Sequence, residues 1–226
     1  MQNYKMMTDD EILKIFNAHF TSDGEVQVAN GAVTASGSIL SASTTKVVSG
    51  TKRKVIKFFN HIPVKFIIVS GDFICSHVGL MNLENSPRKI LGNFNISFNN
   101  LSSLVGGPDE VYNEYRCSNN QLSNLVGCSK IVKELYMYNN PIKSLKGLPE
   151  ITDELHMTVD ESTPLLHIVS LDKHVNLDLY NEDQGPIDRK IIEALNSCMG
   201  KKPLRQTIIQ CQKELIDLGY EGNAHI

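Results

Sequence analysis

Apolar and polar positions follow a pattern that recurs along the middle of the chain. The four clearest copies cover residues 71–83, 92–104, 113–125 and 133–145. Each copy has two apolar residues two positions apart and two more at the seventh and tenth positions after the first. The first apolar positions are Phe73, Phe94, Tyr115 and Leu135. Their spacings of 21, 21 and 20 residues predict a solenoid in which each copy forms one coil.

The recurring positions also predict the fold class. The pattern apolar-x-apolar-x-x-Asn-x-Leu-x-x-Leu is that of a leucine-rich repeat, with one short parallel strand per coil. We therefore expect an α/β solenoid of 20–21-residue repeats that forms a parallel sheet. Cys75 and Cys117 occupy the position of Ile96 and Met137, so we expect both thiols to be buried as small apolar side chains.

Two more columns recur around each predicted strand. One apolar residue stands just before the strand, at Val69, Ile90, Val111, Ile131 and Ile151. One amide follows the strand, at Asn99, Asn120 and Asn140, with Asp160 as the predicted continuation. A stacked amide can donate to one coil and accept from the next, which predicts a hydrogen-bonded ladder through the turns.

The flanking segments have other periods. Thr8 with Glu11 predicts a capping box and a helix, and Asn30-Gly31 predicts a two-residue turn within a hairpin over residues 26–35. Beyond residue 186 the apolar spacing becomes helical, in two runs. We therefore predict an N-terminal cap of helix and hairpin at 1–61, the solenoid at 62–182, and a two-helix C-terminal cap at 183–226.

Composition narrows the classes of partner. The formal net charge is −3 and no apolar run approaches the length of a membrane span, so we expect neither a nucleic-acid nor a membrane partner. The start of the chain lacks a secretory signal and the five cysteines are an odd count, which predicts a cytoplasmic protein with reduced thiols. A basic stretch contains Lys46, Lys52, Arg53, Lys54 and Lys57. We favour a solvated connection there over a phosphate-binding loop.

Two copies of the pattern resemble the repeats of leucine-rich-repeat proteins encoded by large tailed bacteriophages. The resemblance lies in VSGDFICS at residues 69–76 and CSNNQLSNL at residues 117–125, and it covers about residues 8–150. It implies a cytosolic protein made during infection that modulates or inhibits a bacterial host protein, including one of a defence system. Ser162, which replaces an expected Leu, and the helical tail depart from the family pattern.

Residues between the buried positions of a strand point outward, because side chains alternate between the two faces of a sheet. Stacked coils then place three outward columns side by side. The first column is Asp72, Asn93, Glu114, Glu134, Glu154 and Asn176. The second column is Ile74, Asn95, Arg116, Tyr136, His156 and Asp178. The third column is Ser76, Ser97, Ser118, Tyr138, Thr158 and Tyr180.

Charged and aromatic residues gather in the C-terminal half of these columns, where we expect a protein-binding site. Tyrosine suits such a site because it combines a large rigid area with a polar tip. The candidate residues are Glu114, Arg116, Glu134, Tyr136, Tyr138, Glu154, His156 and Tyr180. The three glutamates would be lateral neighbours about 5 Å apart, and their repulsion would be relieved by a partner with a basic surface or by Arg116 reaching across.

Two alternatives use other chemistry. His156 oriented by Glu154 is a candidate general base for an enzyme. We expect no enzymatic activity, because no nucleophile motif or phosphate-binding loop accompanies this pair and a regular sheet face is shallow. The scattered histidines lack metal-ligand spacing, so we expect no metal ion and no cofactor. The second alternative is a self-assembling structural protein, a homo-oligomer formed through residues 203–218.

Overall fold

The chain is a parallel-sheet solenoid of about five turns. The computed structural model describes residues 7–48, 51–171, 174–183, 185–201 and 204–225. These described residues form sixteen strands, which are β1 (Phe20–Ser22), β2 (Val26–Ala29), β3 (Ala32–Ala35), β4 (Ile39–Ser41), β5 (Ser43–Val48), β6 (Thr51–Ile56), β7 (Phe66–Val69), β8 (Phe73–Ile74), β9 (Lys89–Ile90), β10 (Phe94–Asn95), β11 (Glu110–Val111), β12 (Glu114–Arg116), β13 (Ile131–Tyr136), β14 (Glu150–Thr158), β15 (Asn176–Asn181) and β16 (Gly185–Pro186).

Two sheets run along the coils. The longer sheet has nine strands in the order β1-β4-β8-β10-β12-β13-β14-β15-β16, and its strands from β4 to β15 are parallel. The shorter sheet has the order β11-β9-β7-β3-β2. Strands β3 and β4 extend the two sheets from within the segment predicted as a cap. The cap boundaries at residues 61 and 182 stay predictions.

The N-terminal segment forms the predicted helix and hairpin. Helix α1 (Asp9–His19) begins at the Thr8 capping box, in which the Thr8 hydroxyl accepts from the Glu11 amide and the Glu11 carboxylate accepts from the Thr8 amide. Strands β2 and β3 pair across Asn30-Gly31, where both residues have positive φ. The buried Phe16 ring of α1 meets the Phe66 ring at 6.1 Å, so the helix packs onto the first coils.

The basic stretch lies in an antiparallel hairpin of β5 and β6. The side chains of Lys46, Lys52, Arg53 and Lys54 lie outside the described residues. Lys57 follows the hairpin, and its ammonium donates to the carbonyl of Ala18 at the end of α1. For Lys57 the structure therefore favours a connecting role.

The predicted apolar columns fill the interior. Phe73, Phe94 and Tyr115 stand in register on successive strands and are buried, with neighbouring ring centroids 5.9 and 5.1 Å apart. Cys75 and Cys117 are fully buried, which confirms their assignment to the core. Burial raises the pKa of the Cys117 thiol to about 12, because the thiolate would lack water.

The column before each strand contains one wrong assignment. Val69, Ile90 and Val111 are buried as predicted, but Ile131 is 54% exposed and Val132 is buried instead. Val132 pairs with Ile151, and the register then shifts between Val132 and Glu134. Ile131 stands four residues before Leu135, the offset that Val111 has from Tyr115. Across the shift β13 has one residue fewer than β14, so the buried position in this coil is Val132, three residues before Leu135.

The asparagine ladder is confirmed at its three amide positions. The Asn120 amide nitrogen donates to the Ile96 carbonyl of the preceding coil at 3.1 Å and to the Cys117 carbonyl of its own coil at 3.0 Å. Its oxygen accepts from the Leu101 amide at 3.0 Å. Asn99 and Asn140 bridge neighbouring coils in the same way. Each amide thus satisfies backbone groups that have left the sheet.

Asp160 does not continue this ladder, contrary to the prediction. Its carboxylate accepts from the Ser162 amide at 2.8 Å and from the Thr163 hydroxyl at 3.0 Å, all within its own turn. A carboxylate has no N–H to donate, so it cannot reproduce the donor half of an asparagine. Asn223, near the C-terminus, donates instead to the carbonyls of Asp160 and Thr163 at 2.7 and 2.8 Å.

Glycine marks another corner of the coils. Gly106, Gly127 and Gly147 all have positive φ. A Cβ on Gly127 would lie 2.4 Å from the Val105 amide nitrogen of the preceding coil. These corners therefore require glycine for its conformation and for the close approach of two backbones.

Two helices follow the last strands. Helix α2 (Arg189–Cys198) and helix α3 (Leu204–Asp217) bury Leu195, Cys198, Cys211 and Leu215. Short 3₁₀ helices span Leu165–Ser170 and Glu221–Asn223. Residue 203 of the candidate self-association segment lies outside the described residues. Among the described helices, none is both long and apolar enough to cross a membrane.

Candidate functional site

The strand register brings the predicted outward columns together. Glu114, Glu134 and Glu154 are direct lateral partners on β12, β13 and β14. In the next column, Arg116 is followed by Tyr136 and His156. Glu114 and Arg116 flank the buried Tyr115 on the same strand. The period-2 alternation of each strand therefore places these charged and aromatic groups on one outward face.

Three side chains of the second column form a stack. The Arg116 guanidinium lies 4.2 Å from the centroid of the Tyr136 ring. On the other neighbouring strand, β14, the centroid of the His156 ring lies 4.0 Å from that of the same tyrosine ring, with 6° between the two planes. The sheet spacing of about 4.8 Å matches planar groups in lateral contact. Tyr136 is thus held between a cation and an imidazole.

Carboxylates of the first column fix the ends of this stack. Glu114 pairs with the Arg116 guanidinium, a contact that raises the pKa of Arg116. The Tyr136 hydroxyl donates to Glu134 at 2.7 Å. Burial, together with this acceptor, raises the pKa of Tyr136 to about 12. Two of the three laterally adjacent glutamates thus have donors within the protein.

Asp178 anchors the far side of the stack. Its Oδ2 lies 3.0 Å from Nδ1 of His156 and also accepts from the Tyr138 hydroxyl. These donors, first the Tyr138 hydroxyl and then His156, lower the pKa of Asp178. We name the set Arg116, Glu134, Tyr136, Tyr138, Glu154, His156 and Asp178 the central cluster. Glu114 lies at its edge, beyond Arg116.

Sequence reasoning placed Asp178 in the second column but left it out of the candidate site. The signal was present, because Asp178 is the lateral partner of His156. Tyr180, which was included, lies beside Thr158 at the margin of the outward face and is 41% exposed. It offers accessible aromatic area next to the central cluster.

The second nitrogen of His156 is buried beside a carboxylate. Nε2 lies 2.9 Å from Oε2 of Glu154, within ion-pair distance. This contact does not have the geometry of a hydrogen bond, however, and Nε2 has no hydrogen-bond partner in the described part of the chain. Only 10% of the His156 side chain is exposed, whereas the Glu154 side chain is 40% exposed. One end of the imidazole is therefore fixed by Asp178, and the other faces carboxylate oxygen without a hydrogen bond.

The arrangement can accept hydrogen bonds or hold a positive charge. Glu134, Glu154 and Asp178 provide carboxylate oxygens around the aromatic stack, while Lys133 approaches Glu134 at 3.7 Å from the side. Cationic groups are favoured at such a surface because they meet several acceptors at once. Compared with protein-family models, curated proteins and solved structures, the chain matches none of them.

Proposed function

We propose that this chain is a protein-binding leucine-rich-repeat module whose partner docks on the outward face of the longer sheet. The observation that carries the proposal is the stack of Arg116, Tyr136 and His156. Arginine and tyrosine are enriched among the residues that dominate interface energies. Here their side chains are already ordered by neighbours, so a partner loses less conformational entropy when it binds them.

The charge of the face defines the chemistry of the partner. Glu154 and Asp178 have exposed carboxylates, with 40% and 60% of their side chains accessible. A partner with lysine or arginine residues at matching positions would be attracted at long range and oriented on docking. The proposed partner is therefore a protein with a basic patch, and not a nucleic acid or a membrane.

The biological setting rests on the resemblance of residues 69–76 and 117–125 to bacteriophage repeat proteins. It supports a phage-encoded modulator or inhibitor of a bacterial host protein, acting in the host cytoplasm. Proteins of a host defence system are one class of target for such a modulator. The leucine-rich-repeat identity rests on the same segments and on the asparagine ladder.

Affinity capture with defined variants tests the function. Immobilised wild-type protein is exposed to bacterial lysate, and each captured protein is then purified and titrated against the wild type by calorimetry. We expect one saturable partner at fixed stoichiometry, lost with Tyr136→Ala plus Tyr138→Ala. Tyr112→Ala is the matched control, because Tyr112 is 57% exposed and lies outside the outward columns. If the double variant bound the partner as well as Tyr112→Ala does, the outward face would not be the binding site.

A further inference from the structure

We propose that Glu134, Glu154 and His156 form a binding site for a divalent transition-metal ion. One ligand atom from each residue lies within 4.8 Å of the other two. Two carboxylates with one imidazole are a donor set that suits ions such as Mn²⁺ and Zn²⁺. The site goes beyond the proposed partner binding and does not depend on it.

The orientation of His156 is the second observation that points to an ion. Ionised carboxylates only accept hydrogen bonds, so the nitrogen that bonds to Asp178, Nδ1, carries the proton of that bond. The other nitrogen, Nε2, then faces Glu154 at 2.9 Å with no hydrogen bond in the described part of the chain. In the neutral imidazole this nitrogen offers a lone pair, and a cation close to it and to the Glu154 carboxylate would bond to both.

The surroundings of His156 match those of a metal-binding histidine. Such histidines commonly donate their other ring N–H to a carboxylate, which fixes the ring and makes the ligating nitrogen more basic. Asp178 has this role here, and the Tyr138 hydroxyl fixes Asp178 in turn. Stacking on Tyr136 sets the plane of the His156 ring, so rotation of the imidazole is restricted.

The ligand atoms have to move closer together on binding. Ligands of one tetrahedral Zn²⁺ ion lie about 3.4 Å apart, since each bond is about 2.1 Å long. The three atoms lie within 4.8 Å of one another, so a separation at that limit has to close by about 1.4 Å, which rotation of a glutamate side chain can supply. The Glu134 side chain is 16% exposed and that of Glu154 is 40% exposed, so the remaining ligand positions open towards solvent.

No sequence motif predicts this site, because the ligands come from two strands. Glu154 and His156 stand two positions apart on β14, and Glu134 is their neighbour on β13, 20 residues earlier. Motifs of metal ligands on one helix or one loop have short fixed spacings. Parallel stacking of coils creates the same proximity without such a motif.

Titration of the full chain with Mn²⁺ alone tests the site. Paramagnetic broadening of imidazole resonances locates the ion, with His156→Gln and His61→Gln identifying two of the rings. We expect the His156 ring to broaden first, whereas the exposed His61 ring stays sharp. Excess Zn²⁺ should restore the His156 signal. Because manganese prefers oxygen and nitrogen ligands, the five thiols do not compete.

The shape-conserving variants decide the assignment. Glu154→Gln and Glu134→Gln should each weaken Mn²⁺ binding at least about tenfold, and Asp178→Asn about 10- to 100-fold. The exposed Glu161→Gln should leave it unchanged, and circular dichroism verifies that each variant is folded. Wild-type affinity in both ligand variants, or no broadening of the His156 ring up to about 1 mM Mn²⁺, would overturn the site. Partner capture is repeated in a buffer that contains a chelator. Binding of the partner there would support the proposed function even if the metal site were overturned.

Discussion

The ring of Tyr136 lies parallel to that of His156, with 4.0 Å between centroids and 6° between planes. The same tyrosine contacts Arg116 on its other side and donates its hydroxyl to Glu134. One residue thus links three strands of the longer sheet. Its removal should disturb the outward face more than any single change at the margin of that face.

The first prediction concerns partner binding. Tyr136→Ala with Tyr138→Ala should weaken binding at least about tenfold, or ~1.4 kcal/mol, because binding energy concentrates in large ordered aromatic residues. Calorimetric titration of the purified partner measures the change. The variant should remain folded, since Tyr136 and Tyr138 are only partly buried.

Two controls separate this site from the basic hairpin. Glu134→Gln should act mainly on association rate at low salt, because glutamine keeps an acceptor for the Tyr136 hydroxyl and removes only the charge that steers the encounter. Changing Lys52, Arg53 and Lys54 to Ser should matter little. Loss of binding in the hairpin variant, together with normal binding by the tyrosine variant, would move the site to the N-terminal segment.

The second prediction concerns the asparagine ladder. Asn120→Leu should lower the free energy of unfolding by roughly 1–3 kcal/mol for each buried group left without a partner. The affected groups include the Leu101 amide and the Ile96 carbonyl. Urea denaturation followed by circular dichroism measures the change. Gln121→Leu, at the exposed neighbouring position, is the control. An unchanged midpoint for Asn120→Leu would be incompatible with the ladder.

The third prediction concerns the thiols. Cys75, Cys117, Cys198 and Cys211 are buried, whereas Cys128 is partly exposed. Without denaturant, a bulky maleimide should therefore modify Cys128 first and leave Cys75 and Cys117 protected. Burial raises the pKa of all three thiols, so the expected order rests on access of the reagent and not on the thiolate fraction. Peptide mapping by mass spectrometry identifies the modified sites. Rapid labelling of Cys75 and Cys117 would invert the assignment of inner and outer columns.

The fourth prediction concerns pH. The pKa of Asp178 is lowered in the folded chain, so the folded state favours its ionised form. Its stabilising contribution is present above the ordinary value of about 3.9 and is lost as the pH falls through the lowered folded value. In metal-free buffer, Asp178→Asn should therefore lower the urea midpoint at pH 5, and the difference should shrink towards pH 2.5. The exposed Asp183→Asn should show no comparable trend.

Columns with a strict period could be predicted from sequence, and irregular positions could not. Phe73, Phe94 and Tyr115 repeat every 21 residues, and the structure stacks them in the interior. The four-residue offset before the strand pointed to Ile131, because Leu135 comes only 20 residues after Tyr115, whereas the buried Val132 keeps the 21-residue spacing from Val111. Asp160 has the right spacing for the ladder but lacks the donor that the role requires.

The candidate site was predictable in its membership and not in its contacts. Alternation placed Tyr136 and His156 side by side, but it could not orient the imidazole. That orientation depends on Asp178, from a strand beyond the last clear repeat. Nearest-neighbour geometry on a sheet can be read from period and alternation, whereas hydrogen-bond direction needs the side-chain conformations themselves.

Arg116, Tyr136, His156 and Asp178 come from four successive coils, and this has a consequence for folding cooperativity. In a repeat array each coil is supported by its neighbours, and unravelling can proceed from an end. Loss of the coil that carries Asp178 releases His156 before the coils around Phe73 are disturbed. Any ligand that contacts the central cluster therefore connects the C-terminal coils, and its binding raises the free energy needed to unfold them locally.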